Sequence, residues 1–140
     1  MLRRIKADVK TSLPKKTESV LFCTLTREQR DAYRAFLESD EMDAVLQGRR
    51  HALYAIDLLR KVCNHPYLFE GAEPGPPFLD GPHLWENTGK LVLLSKLLPK
   101  LQAQQSRVLI FSQMTRMLDI LEDFMRLKRY AYCRIDGSTS

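Results

Sequence analysis

Near the C-terminal end the sequence spells a strand, a helix and a second strand joined by short connections, a pattern that predicts a parallel pair. Arg107-Val-Leu-Ile-Phe111 is a short apolar run, as expected of a strand buried on both faces. Thr115 to Lys128 carries Met117, Ile120, Leu121 and Phe124 as one stripe with charges opposite, which predicts an amphipathic helix. Ala131-Tyr-Cys-Arg-Ile135 predicts the second strand, closed by Asp136-Gly137. Strand, helix, strand with short links is a βαβ unit, whose strands lie parallel. Two strands alone do not make a stable sheet, and both faces of a parallel sheet need cover. The sequence stops at Ser140, where a third helix is due, so the unit reads as cut short.

Upstream the pattern is helical. Leu2, Ile5 and Val9 suit one face of a short helix ahead of Pro14, and Val20-Leu-Phe-Cys-Thr-Leu25 is a short strand candidate rich in β-formers. Thr26-Arg-Glu-Gln29 fits a capping box, opening a helix with Tyr33, Phe36 and Leu37 on one side. A weaker helix ends near Gly48. From His51 to Cys63 a third has Leu53, Ile56, Leu58 or Leu59, and Val62 at helical spacing, and Asn64-His65-Pro66 stops it. Residues 70–87 hold four of the seven prolines and three of the six glycines, which predicts a loop and a boundary between two units. Thr88 then caps a helix carrying Leu91, Leu94, Leu98 and Leu101, with a kink or early end expected at Pro99.

Composition narrows the class. At 140 residues and 44% hydrophobic the chain has the length and apolar content of one ordinary domain. No apolar run approaches the roughly 20 residues of a membrane span, and the charged N-terminus has no apolar segment behind it that would make a secretory signal. Cys23, Cys63 and Cys133 are scattered and odd in number, against a disulfide framework. The net charge is +5, and in the first sixteen residues six cations, Arg3, Arg4 and Lys6 among them, face only Asp8. Such a segment suits a polyanion, or is simply a solvated leader.

The chemistry-bearing residues are sparse. There is no G-x-x-x-x-G-K-[ST] phosphate loop. Thr88-Gly89-Lys90 reads better as a helix-entry turn than as a phosphate contact. His65, next to Cys63-Asn64, has no partners at zinc-ligand spacing and reads as a satisfied structural histidine. Two loops differ: Ser112-Gln113 and Asp136-Gly-Ser-Thr139 each follow a predicted strand, at the carboxyl edge where open α/β sheets bind ligands. Their hydroxyls, amide and backbone N–H groups suit phosphate oxygens, although the same residues also favour plain turns.

Several blocks together resemble helicase superfamily two, specifically the Swi/Snf-type chromatin-remodelling ATPases. Met1-Leu-Arg-Arg-Ile-Lys-Ala-Asp-Val9 with Leu13-Pro14-Lys15 is similar to the segment leaving the first motor lobe. Leu58-Leu-Arg-Lys-Val-Cys-Asn-His-Pro-Tyr-Leu68 is similar to the helical block between the lobes. Gly71-Ala-Glu-Pro-Gly-Pro-Pro77 resembles the Imitation-Switch group, whereas residues 20–50 resemble the Cockayne-syndrome-B-type proteins. Thr88-Gly-Lys90 resembles the entry to the second lobe. Arg107-Val-Leu-Ile-Phe-Ser-Gln-Met-Thr115 with Leu118-Asp-Ile-Leu-Glu122 is similar to helicase motif IV, and Tyr132-Cys-Arg-Ile-Asp-Gly-Ser-Thr139 to the segment after it.

The resemblance implies an α/β fold: an incomplete RecA-like helicase C-terminal lobe over residues 88–140, preceded by a mostly helical inter-lobe segment over 1–69 and the Pro/Gly-rich loop 70–87. It implies a parent that binds ATP and Mg²⁺ between two lobes and walks along duplex DNA, nucleosomal in the nucleus. This chain alone, without the phosphate loop and the later second-lobe motifs, is expected to bind neither ATP nor Mg²⁺ and to hydrolyse no ATP. Ser112, Gln113 and Met114, with Gly137, Ser138 and Thr139, match loops that approach the DNA backbone. Arg3, Arg4 and Lys6 match the linker, where coupling between the lobes and DNA contact are both open. The missing first motor lobe and duplex DNA are the implied partners, with no membrane. The alternative is a short non-catalytic protein that binds DNA or a remodeller.

Overall fold

The computed structural model describes Arg3, Ile5 and residues 14–140. Arg4, Lys6 and the helix expected ahead of Pro14 lie outside the described residues. Among those described there are six α-helices: α1 (Arg27–Leu37), α2 (Asp40–Leu46), α3 (Ala52–Asn64), α4 (His83–Glu86), α5 (Gly89–Ala103) and α6 (Thr115–Leu127), with a 3₁₀ turn at Pro66–Leu68 after α3.

The start of α1 follows from its residues. Thr26 accepts the Gln29 backbone N–H at 3.3 Å, and the Gln29 side-chain carbonyl accepts the Thr26 N–H at 3.1 Å, which completes the predicted capping box. Ser39 caps α2 and His51 caps α3 through Nδ1. α3 ends at Asn64, directly before His65-Pro66. The early end expected at Pro99 does not occur, because α5 continues to Ala103. Proline forfeits its own bond to the carbonyl four residues back and crowds that carbonyl, yet Leu98 beside it is held in the interior.

The core lies where the 3₁₀ turn meets the last two helices. Leu68, Leu91, Met117 and Leu121 form one buried cluster, with Trp85, Leu94 and Ile120 packed against it. Phe124 is fully buried and meets the Trp85 ring edge-on at 5.7 Å, while the Lys128 ammonium sits 4.1 Å from that ring's centre. Trp85 belongs to α4, inside the stretch expected to be all loop. Its single turn is fixed by Leu84, which is almost wholly buried. Such a turn is too short to show periodicity among prolines and glycines.

The predicted strands are the main correction. No strand is present among the described residues, so the RecA-like α/β start is not formed as a sheet. Val20–Leu25 is irregular, with Phe22 95% exposed. Arg107–Phe111 and Ala131–Ile135 are irregular as well, and neither makes a backbone–backbone hydrogen bond with another described residue. Leu109, Phe111 and Ile135 stand 83%, 88% and 83% exposed. Strand character is realised only through pairing and cover, and these runs have neither. Both runs nevertheless line one groove of about 890 Å³ with Leu98 of α5 and Leu118 and Met125 of α6.

Candidate nucleic-acid interface

A buried polar joint sets the geometry of the site. Gln29 is fully enclosed, and its side-chain nitrogen donates to the Val62 carbonyl at 2.9 Å and to the Thr88 hydroxyl at 3.2 Å. Its carbonyl also accepts the Gly89 N–H at 3.0 Å. One amide therefore links the start of α1, the end of α3 and the start of α5. Thr88 does not cap α5 with its side chain, as the sequence suggests; its hydroxyl donates to the Asn64 carbonyl at 2.9 Å. Gln29 supplies the cap instead. Gly89 has no room for a side chain, since a Cβ there would collide with the Thr24 carbonyl.

His65 is fully buried and has both ring nitrogens engaged, as the structural reading requires. Nε2 lies 2.6 Å from the Leu84 carbonyl and Nδ1 accepts the Tyr67 N–H at 3.1 Å. That pair of partners assigns the proton to Nε2. Burial pushes its pKa below the usual histidine value, with the neighbouring His83 adding to the shift and the bond to Leu84 opposing it.

Locking the end of α3 against the start of α5 brings Asn64 and Lys90 together, and the Lys90 ammonium donates to Asn64 Oδ1 at 2.7 Å. The Asn64 amide nitrogen reaches the Met114 sulfur at 3.8 Å. One turn back on α3, the Arg60 guanidinium donates to the side-chain carbonyl of Gln113. Ser112 holds this loop by accepting the Met114 N–H at 3.2 Å. Ser112 and Gln113 are thus brought against Arg60, Asn64 and Lys90 around a cleft of about 440 Å³, which Met114 does not line. The sequence reading set Lys90 aside and passed over Arg60; the basic pair in Leu58-Leu-Arg-Lys was the only signal available.

The second loop is a tight turn. Asp136 Oδ1 accepts the N–H and the hydroxyl of Ser138, at 2.9 and 2.6 Å, and the Thr139 hydroxyl accepts the Asp136 N–H at 3.0 Å. Those bonds from Ser138, with Arg134 alongside, bring the Asp136 pKa down to about 2. Arg134 also pairs with Asp119 and Glu122, at 2.6 and 2.7 Å, so three carboxylates surround one guanidinium. Gly137 is exposed, with open space around it. Among the described residues the Thr139 hydroxyl donates to no side chain or backbone group, whereas the Ser138 hydroxyl is already spent on Asp136. No hydrogen bond joins this turn to the Ser112–Met114 loop among the described residues. Arg3 is exposed.

Residues 1–68 match the SNF2-related domain. Along nearly its whole length the chain is similar to a probable chromatin-remodeling complex ATPase chain of Oryza sativa, 56% identical over 99% of this chain and 13% of that protein. It is 55% identical to an ISWI chromatin-remodeling complex ATPase of Arabidopsis thaliana, over 99% of this chain and 13% of the relative. A DNA excision repair protein CSB of Oryza sativa is 49% identical over 99% of this chain and 12% of that protein. By sequence, the matched blocks are similar to proteins named as chromatin-remodelling ATPases. More particularly, the chain is similar to the Swi/Snf-type, Imitation-Switch-like proteins, and it spans about 13% of the length of the first two of these relatives.

Proposed function

We propose that this chain serves a DNA-translocating, chromatin-remodelling ATPase by coupling its two motor lobes and contacting the DNA backbone. Residues 1–69 are the inter-lobe segment, with Arg3, Arg4 and Lys6 in the linker, 70–87 the connecting loop, and 88–140 the start of the second RecA-like lobe. Arg107–Phe111 and Ala131–Ile135 pair as parallel strands once the rest of that lobe is present. The Ser112–Met114 and Gly137–Thr139 loops then lie on one sheet edge, facing duplex DNA in nuclear chromatin.

The observation that carries this reading is the convergence of three separate sequence blocks on one cleft: Arg60 and Asn64 from the first, Lys90 from the second, Gln113 from the third. Guanidinium, ammonium and amide donors gathered in one cleft suit contact with backbone phosphate oxygens, which positions a protein on nucleic acid without reading sequence. ATP and Mg²⁺ belong to the complete motor in this reading. The described residues contain no group of three His, Cys, Asp or Glu placed to hold a metal ion, and the sequence has no phosphate loop, so no chemical step is assigned to this chain. The test is Gln113→Ala and Thr139→Ala in a complete motor carrying this segment. DNA-stimulated ATP turnover should fall more than basal turnover; equal losses in both would contradict the DNA-edge assignment.

A further inference from the structure

Every hydrogen bond between the first three helices and the chain after His65 uses a side chain. Among the described residues no backbone–backbone hydrogen bond joins residues 14–64 to residues 66–140. The apolar cluster of Leu68, Leu91, Met117 and Leu121 includes no residue of α1, α2 or α3. Polar groups fill the junction instead: Gln29, His65 and Thr88, the buried polar side chains among those described, all sit at it.

The backbone groups they engage lie at helix ends. The Thr26 hydroxyl donates to the Asn87 carbonyl at 3.0 Å, and the Thr88 hydroxyl to the Asn64 carbonyl at 2.9 Å. The Gln29 side chain takes the Val62 carbonyl and the Gly89 N–H, at 2.9 and 3.0 Å. Val62 and Asn64 close α3 and Gly89 opens α5, so these groups have no partner within their own helices. Water can satisfy each of them, and parting the junction breaks no helix bond. The closed arrangement is nevertheless specific, because a buried polar network holds only while its members are paired in one geometry.

We propose that the Gln29–Thr88 joint is a releasable latch. It holds the α1–α3 block against the start of α5 in one register and opens as a unit while both sides stay folded. His65 is the pivot: its backbone is extended between α3 and the 3₁₀ turn, and its ring is held on the far side by the Leu84 carbonyl. Thr88 is the positioning residue, since its one hydroxyl accepts from Gln29 and donates to Asn64. The role of the latch rests on the inter-lobe reading: opening lets the helices between the lobes turn relative to the second lobe, and closing resets them.

The test is native-state hydrogen exchange of the full chain across a series of low urea concentrations, followed by NMR. The Gly89 N–H and the Gln29 side-chain amide report the latch, and the backbone amides of buried Leu98 and Phe124 report the core. The latch groups should be protected at least about tenfold less than the core, and almost independently of urea, because parting the junction exposes little surface. Thr88→Val keeps the shape, removes the hydroxyl, and should lower latch protection about tenfold further without changing the core; Thr88→Ser should restore it. Latch groups that exchange only with the core, with the same steep urea dependence, would overturn the latch and leave the coupling reading standing. That comparison needs only the unaltered chain, so it decides the matter even where Thr88→Val does not fold. In a complete motor on duplex DNA, Thr88→Val should reduce the base pairs travelled per ATP hydrolysed, with rescue by Thr88→Ser. An unchanged distance per ATP beside urea-independent latch exchange would keep the latch and overturn its coupling role.

Discussion

The buried side-chain amide of Gln29 donates to the Thr88 hydroxyl at 3.2 Å, across 59 positions of sequence. With the bonds from Gln29 to Val62 and Gly89, it holds three helix ends in one register. That register puts Lys90 within reach of Asn64 and sets the cleft wall, so the joint is structural in itself and positional for the site.

Replacing Gln29 tests the joint. Gln29→Leu fills similar space but leaves the Val62 carbonyl and the Gly89 N–H without their Gln29 partner and removes one of the two bonds at the Thr88 hydroxyl. Stability should fall by about 2–3 kcal/mol, as measured by urea denaturation. A loss within about 0.5 kcal/mol, typical of a surface substitution, would mean that the joint is not closed in solution.

Two glycines give a paired comparison. Gly89→Ala drives a methyl into the Thr24 carbonyl and should cost about 1–3 kcal/mol. Gly137→Ala meets open space and should stay within about 0.5 kcal/mol. Thermal unfolding of the two variants checks both; equal effects would contradict the packing of α5 against the segment ahead of α1.

His65 gives a pH signature. Its pKa is lowered in the folded state, so below the ordinary histidine value near 6.5 the unfolded chain binds more protons than the folded one. This contribution is fully present above about pH 6.5 and is lost as pH falls through the lowered folded value. An NMR titration should show the His65 ring still neutral, with the proton on Nε2, below the ordinary histidine value near 6.5. A His65 titration at or above about pH 6.5 would contradict its burial.

Much of the helical fold was legible because its causes are local. The Thr26–Gln29 box, the Asn64-His65-Pro66 stop and the Met117 to Phe124 stripe act within a few residues, and α1, α3 and α6 follow from them. Arg107–Phe111 and Ala131–Ile135 have strand composition, but a strand exists only against a partner and under cover. Val20–Leu25 has the same composition and also lacks a partner. α4 was hidden because Trp85 is held against Phe124 of α6, far along the chain. Gln29 could be read as a cap on its own helix; nothing local shows that it also caps α5. For the site, Gln113 was legible from its place after an apolar run, while Arg60 and Lys90 became relevant only when packing brought their helices together.

The proposed strands make a dynamic prediction. In the isolated chain the amides of residues 107–111 and 131–135 have no backbone partners among the described residues and should exchange with deuterium as fast as an open loop. In the complete motor the same amides should be strongly protected. Fast exchange there would contradict the parallel pair.

The most direct measurement places a photo-cross-linking amino acid at position 113 of a complete motor bound to duplex DNA and identifies what it captures. The account predicts adducts on the DNA sugar-phosphate backbone, independent of base sequence, with a second set from position 139. Motor fully bound to DNA but yielding only protein–protein adducts from both positions would contradict it.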